Sequence, residues 1–160
     1  MTTVTRTLTV NAAFLQEIKE DDRQLRDLFQ QTLALLSHPR RQRIPPRQIV
    51  NDLTLLRDQL AMHFTLEDAF GYFEDAIAEA PRLSDRAKQL HAEHEGLFRE
   101  ICELVECAER ILYHERPSGY SQQTDLAVTF YQFHARFQEH ETRENELILD
   151  AFDDDIGVGD

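Results

Sequence analysis

Apolar residues recur three and four positions apart along four long stretches of the chain, the period of a helix with one buried face. The first stretch reads as a helix from about Asn11 to Leu36, with the stripe Phe14, Ile18, Asp22, Leu25, Phe29, Leu33 and Leu36. Asn11 is placed to cap it, with Val10 and Leu15 as a hydrophobic staple. The second opens near Pro46, a residue tolerated in a first turn, and runs to about Ala78. Its stripe is Ile49, Leu53, Leu56, Leu60, His63, Glu67 and Phe70. The third starts after Ser84, read as its N-cap, and runs to about Tyr113 through Leu90, His94, Leu97, Ile101, Leu104, Ala108 and Ile111. The fourth begins near Ser118 or Ser121 and continues to about Phe152 through Leu126, Phe130, Phe133, Phe137, His140, Glu144, Leu147 and Ala151.

Proline and glycine are scarce inside the chain and cluster where these stretches would turn: Pro39, Pro45 and Pro46, then Pro81, then Pro117 with Gly119. No strand alternation competes over a useful length. The connections are short enough to set sequential helices antiparallel, although the first, SHPRRQRIPP, is longer. The predicted fold is an all-α, up-down-up-down antiparallel four-helix bundle over residues 11–152, with an N-terminal arm (1–10) and a frayed acidic tail (153–160). Arg40, Arg41, Arg43 and Arg47 read as a solvated loop.

Composition narrows the class. A length of 160 residues fits one domain, and 41% hydrophobic content with 10 Phe is enough for a core. Lys plus Arg number 17 against 30 Asp plus Glu, a net charge of −13, which argues against a nucleic-acid partner. No apolar run approaches the ~20 residues of a membrane span, and the N-terminal stretch lacks the apolar segment of a secretory signal. Cys102 and Cys107, five apart in a helix, are poorly placed to bridge each other and suit a reducing cytoplasm.

Each stripe also carries polar residues where the period demands apolar ones: Asp22, His63, Glu67, His94, His140 and Glu144. A buried carboxylate needs a hydrogen-bond partner, an opposite charge or a cation. At 1.5 Å rise per residue, Asp22 and His94 lie roughly 15 and 14 Å above the starts of their helices. Counted back along the two reversed helices, His63 and Glu67 lie at roughly 22 and 17 Å, and His140 and Glu144 at about 16 and 10 Å. Boundary errors of about 3–6 Å bring all six into one slab.

His63–Glu67 and His140–Glu144 are both i, i+4 pairs, which place imidazole and carboxylate on adjacent turns of one face. Three imidazoles and three carboxylates without a thiolate suit iron, manganese or zinc, and bundle-core carboxylates of this kind hold di-iron or di-manganese pairs. The competing reading is a metal-free hydrogen-bonded network in a helical interaction domain, since one core histidine bonded to a carboxylate is ordinary. His91, off its stripe beside Glu95, and His134, more than a turn from His140, read as surface residues or supports. Cys102 and Cys107 read as packing residues, and His38 and His114 lie in loops.

The segments IKEDDRQLRDLF, MHFTLED, LHAEHEGLF and FQEHETRENELIL together resemble the hemerythrin-like (HHE cation-binding) family over nearly the whole chain. The resemblance implies a non-haem di-iron site in the middle of the bundle, used for oxygen binding, for sensing oxygen or iron, or for handling nitric oxide and damaged iron centres. Carried over, His63 and Glu67 match the second helix's pair, with Glu67 bridging both ions. His140 and Glu144 match the fourth helix's ligands, and His94 the third helix's histidine. Two positions depart: Asp22 stands where the oxygen carriers have a histidine, and Leu90 stands where they have the first of two third-helix histidines, with His91 as the only nearby substitute. More negative charge and one ligand fewer favour the ferric state. The expected function is therefore iron binding, redox sensing or peroxide and nitric oxide handling rather than oxygen transport. Two irons are expected, one remains open, and zinc or manganese are the alternatives. No phosphate loop, nucleophile elbow or cysteine nucleophile is present, so no organic substrate is indicated.

Overall fold

The computed structural model describes residues 12–37, 44–69, 78, 80–113 and 120–157, and every regular element among them is helical. Four long helices, α1 (Ala12–Leu36), α2 (Pro46–Ala69), α3 (Ser84–Tyr113) and α4 (Tyr120–Gly157), are accompanied by a short 3-10 helix at Pro81–Leu83. None of the helices among the described residues is long and apolar enough to cross a membrane. The N-terminal arm, the Asn11 cap, Arg40, Arg41, Arg43, His38, His114 and positions 70–77 of the second predicted helix lie outside the described residues.

The helix ends follow their local chemistry. Pro45 offers its carbonyl to the amides of Gln48 and Ile49 at 3.0 and 3.4 Å, so Pro46, which has no N–H, sits where none is needed. Ser84 does not cap α3 as the sequence suggests. It is already helical, and its amide donates to the Pro81 carbonyl, so the 3-10 turn leads directly into the helix. Asp85 in the first turn then complements the positive end of the helix dipole. The predicted tail is also shorter than expected, because α4 continues to Gly157.

α1 packs on α2, α2 on α3 and α3 on α4, whereas α1 and α4 meet over a much smaller area. The main core is built from the predicted stripes, with Leu53, Leu56, Leu60, Ile101, Phe130 and Phe133 fully enclosed. Phe29 joins α1 to α4, its ring 6.2 Å from Phe133 and 5.0 Å from Phe137. A second, smaller apolar cluster contains Leu83, Ala87, Leu90, Leu147 and Ala151. Along α3 the two clusters are separated by His94, and along α4 by His140 and Glu144. The helices therefore carry a polar layer between two apolar ones.

The stripe of α1 keeps Leu25, Phe29 and Leu36 as predicted, with Leu33 half-buried against the core, but Asp21 and Thr32 are buried as well and Asp22 is exposed. Thr32 tolerates burial because its hydroxyl donates to the Leu28 carbonyl at 2.8 Å. With this hydroxyl satisfied inside the helix, α1 can turn Asp21 toward α2. Replacing the fully enclosed Phe130 by Ala should lower unfolding free energy by about 3–5 kcal/mol, measured by urea denaturation. A loss under about 1 kcal/mol would place Phe130 outside the cooperative core.

Candidate metal centre

The polar layer is organised around three imidazoles. The i, i+4 pairs close as their spacing predicts: His63 Nε2 lies 2.7 Å from Glu67 Oε1, and His140 Nε2 lies 2.7 Å from Glu144 Oε1. His94, from α3, stands between the pairs, its Nε2 3.1 Å from Glu67 Oε2 and 3.0 Å from Glu144 Oε1. The two carboxylates thus link three imidazoles in the order His63, Glu67, His94, Glu144, His140. Ligating atoms of Glu67, His94, His140 and Glu144 all lie within 4.8 Å of one another.

Each imidazole also meets a carboxylate on its outward side. Nδ1 of His63 contacts Asp21 Oδ2 at 2.8 Å, Nδ1 of His94 contacts Asp68 Oδ1 at 3.2 Å, and Nδ1 of His140 contacts Glu93 Oε2 at 2.7 Å. Assigned as donors, the three Nδ1–H groups leave every Nε2 lone pair pointing inward, the arrangement by which carboxylates orient metal-binding histidines. These carboxylates are themselves held. Gln59 donates to Asp21 at 2.7 Å, and Arg143 grips Glu93 with two bonds of 2.6 and 2.9 Å. Aromatic rings fix the imidazole planes: Phe64 stacks on His94 at 4.4 Å, and Phe137 meets His63 edge-on at 6.0 Å.

Fit to a cation is indicated by the atoms left without partners. His63 Nε2, His140 Nε2 and Glu67 Oε2 are buried yet have no well-angled hydrogen bond. Their close contacts have ion-pair distances but the wrong direction for N–H···O bonds, and unsatisfied buried polar atoms are rare without a reason. His140 Nε2 and the Glu67 carboxylate belong to the group of close ligating atoms, where a cation would satisfy them, and His63 Nε2 lies beside it on the other oxygen of Glu67. The donor set is nitrogen and oxygen only, suited to iron, manganese or zinc.

Between α1 and α4 a groove of about 490 Å³ reaches this group, with His63, Glu67 and Glu144 on its floor and Asp22, Arg26 and Glu141 on its walls. Glu141 Oε1 lies 3.5 Å from His63 Nε2. Burial pushes the Glu141 carboxyl up to about 7, reinforced by Glu144, Asp22 and Glu67 and opposed by His63. Burial likewise raises Asp22, against the nearby His63 charge. Burial alone would lower the His63 imidazole, but contacts with Asp21 and Glu67 overcome it and raise it to about 11. His94 is raised to about 9 against the same burial effect, through Glu144 and Glu67. Burial would raise Glu67, yet His63 and His94 on either side hold it at about 2. Protons and a metal ion therefore compete for the same inward nitrogens.

Of the residues singled out from the sequence, His63, Glu67, His94, His140 and Glu144 converge. Asp22 reaches only the rim, 3.6 Å from His63 Nδ1 and 47% exposed, while Asp21 takes the buried place at 6%. His91 is not part of the group: it is 59% exposed on α3, with Nδ1 2.9 Å from Asp68. His134 packs against Phe29 at 4.9 Å, and Leu90 lies in the smaller apolar cluster. Cys102 and Cys107 are free thiols. The period alone missed Asp21, Asp68, Glu93 and Glu141. A signal was present, since each stands one residue from a position on a polar stripe: Asp22, Glu67, His94 and His140 respectively. Compared with protein-family models, curated proteins and solved structures, the chain matches none.

The shifts fix how the stability of chelator-treated protein depends on pH. Glu141 binds its proton more tightly folded than unfolded, so its contribution is complete below pH 4.5 and is lost as pH rises through about 7. The His63 contribution is complete below pH 6.5 and is lost toward about 11, whereas that of Glu67 is lost as pH falls from 4.5 toward about 2. Thermal midpoints should therefore fall between pH 4.5 and 7, and Glu141→Gln should flatten that decline. An unchanged slope in the variant would remove Glu141 as its cause.

Proposed function

We propose that the chain is a hemerythrin-like, non-haem metal protein, an up-down-up-down bundle holding two iron ions in its polar layer. The bundle topology is supported by pairs that run in opposite order along α3 and α4: Arg86 with Asp150, Glu93 with Arg143, and Glu100 with Arg136. The metal reading is carried by one observation, the convergence of three inward Nε2 atoms on Glu67 and Glu144 while each Nδ1 is tied to an outer carboxylate. Glu67 reaches His63 with one oxygen and His94 with the other, the posture of a bridging ligand between two ions. His94, His140 and Glu144 would hold one ion. His63 would hold the other, with Glu141 and Asp22 beside it on the groove wall.

A bound iron pair would supply one-electron redox change and a vacant position for a small ligand such as dioxygen, peroxide or nitric oxide. The chain's own residues set the conditions. Glu67, Glu144, Glu141 and Asp22 concentrate negative charge around the two positions, which favours the ferric state over reversible oxygen carriage. The α1–α4 groove admits a ligand from solvent. Sensing, or handling of peroxide or nitric oxide, follows from that environment better than transport. A cytoplasmic setting belongs to the same reading and is supported by two free thiols. Zinc, which has no accessible redox change, would make the centre structural or hydrolytic instead, whereas manganese would keep it redox-active.

The competing metal-free network is favoured by the ion pairs themselves, since each imidazole already lies near a carboxylate on both sides. Elemental analysis after anaerobic loading with ferrous iron separates the two. We expect about two irons per chain and a raised thermal midpoint, both lost in the Glu67→Gln, Glu144→Gln double variant. Protein that takes up no metal would establish the network reading. Asp21→Asn should weaken metal affinity about 10–100-fold without changing the final stoichiometry, measured by chelator competition.

A further inference from the structure

We propose that Asp68, His91 and His94 form a second, shallower cation site on the α2–α3 face, through which a divalent transition-metal ion passes to the buried centre. Asp68 Oδ1 lies 2.9 Å from His91 Nδ1 and 3.2 Å from His94 Nδ1. One carboxylate oxygen thus sits between two imidazole nitrogens, and the three ligating atoms lie within 4.8 Å of one another. The group spans the protein boundary: His91 and Asp68 are 59% and 41% exposed, while His94 is buried. It occupies a depression of about 440 Å³ whose lining includes Glu95 and contains no lysine or arginine. Glu95 is paired only with the exposed Arg99 at 3.1 Å, a contact of little strength that a cation would displace.

Two imidazoles and one or two carboxylates, with water completing the shell, suit a first-row divalent ion held weakly enough to exchange. The net charge of −13 draws cations to the surface, and the one guanidinium at the rim, Arg99, is held by Glu95.

His94 connects this site to the interior. Its ring is held flat against Phe64, with Nδ1 facing Asp68 and Nε2 facing Glu67 and Glu144. A cation between Asp68 and His91 therefore lies on the outward edge of the same imidazole whose inward edge meets Glu67 and Glu144. Asp68 adjoins Glu67, so the carboxylate that receives the ion outside neighbours the one that would bridge inside.

As a cation site the proposal stands on its own geometry; as a loading port it rests on the metal reading of the centre. The test uses cobalt(II) as probe, with anaerobic stopped-flow absorbance and a final count of tightly bound ions. His91→Ala is the variant, chosen because the side chain is exposed and outside the core. Wild-type protein should show a fast phase that saturates with cobalt, followed by slower filling of the tight positions. His91→Ala should lose the fast phase and fill roughly tenfold more slowly, with the tight count unchanged. An unaltered fast phase and filling rate in His91→Ala would overturn the proposal. So would a reduced tight count, which would assign His91 to the inner centre. If wild-type protein binds only one weak ion and His91→Ala abolishes it, the outer site stands and the reading of the inner centre fails.

Discussion

The pairing of each buried imidazole with an outer carboxylate is the constraint on which the rest of the structure depends. His63, His94 and His140 sit between two apolar clusters, where an unmatched charge or an unbonded ring nitrogen would be severely penalised. Asp21, Asp68 and Glu93 remove that penalty on the outward side and fix the rings in one orientation. On the inward side His94 Nε2 meets Glu144, but Nε2 of His63 and of His140 have no equivalent satisfaction. Each helix contributes: α1 supplies Asp21, α2 supplies His63, Glu67 and Asp68, α3 supplies Glu93 and His94, and α4 supplies His140 and Glu144. Helix packing and site geometry are therefore the same problem, and a rotation of any one helix would leave a buried charge unpaired.

The three outer carboxylates are not equivalent. Asp21 is enclosed and shared with Gln59, Glu93 is clamped by Arg143, and Asp68 stands half in solvent between two histidines. A carboxylate whose charge is partly taken by a guanidinium makes its imidazole a weaker donor than one left to the histidine alone. The three imidazoles consequently face any shared cation with graded basicity. The exposed Asp68 also leaves His94 the one imidazole whose outward side is open to exchange with solvent.

The small contact between α1 and α4 has a functional counterpart. Where these two helices diverge they leave a groove whose floor is the polar layer. Asp22 and Glu141 face this groove rather than the core, so the acidity added at these positions lies along the access route. Phe29, Phe64 and Phe137 seal the layer from the main core. Ligand access and dry packing are thereby assigned to different sides of the same histidines.

The fold was legible because burial follows a period. Every member of the α4 stripe from Leu126 to Ala151 is buried, as are His63, His94, His140 and Glu144, which stand out from their apolar neighbours. The i, i+4 chelating pairs were equally plain, because backbone geometry alone sets them. Sequence spacing placed Leu25, Phe29 and Leu36 on the buried face of α1 but could not decide between the adjacent Asp21 and Asp22, which differ by about 100° around the axis, nor foresee that a self-satisfied Thr32 is buried there. Nor could it identify partners contributed by other helices, such as Asp68 beside His94 and Glu93 beside His140, because those contacts depend on the height and azimuth at which two helices meet. The sequence by itself determined four helices, their polar layer and the pairs within one helix, since short-range periodicity encodes them. Only the tertiary structure decided which carboxylate orients which imidazole, because that choice is made by packing between helices rather than along one.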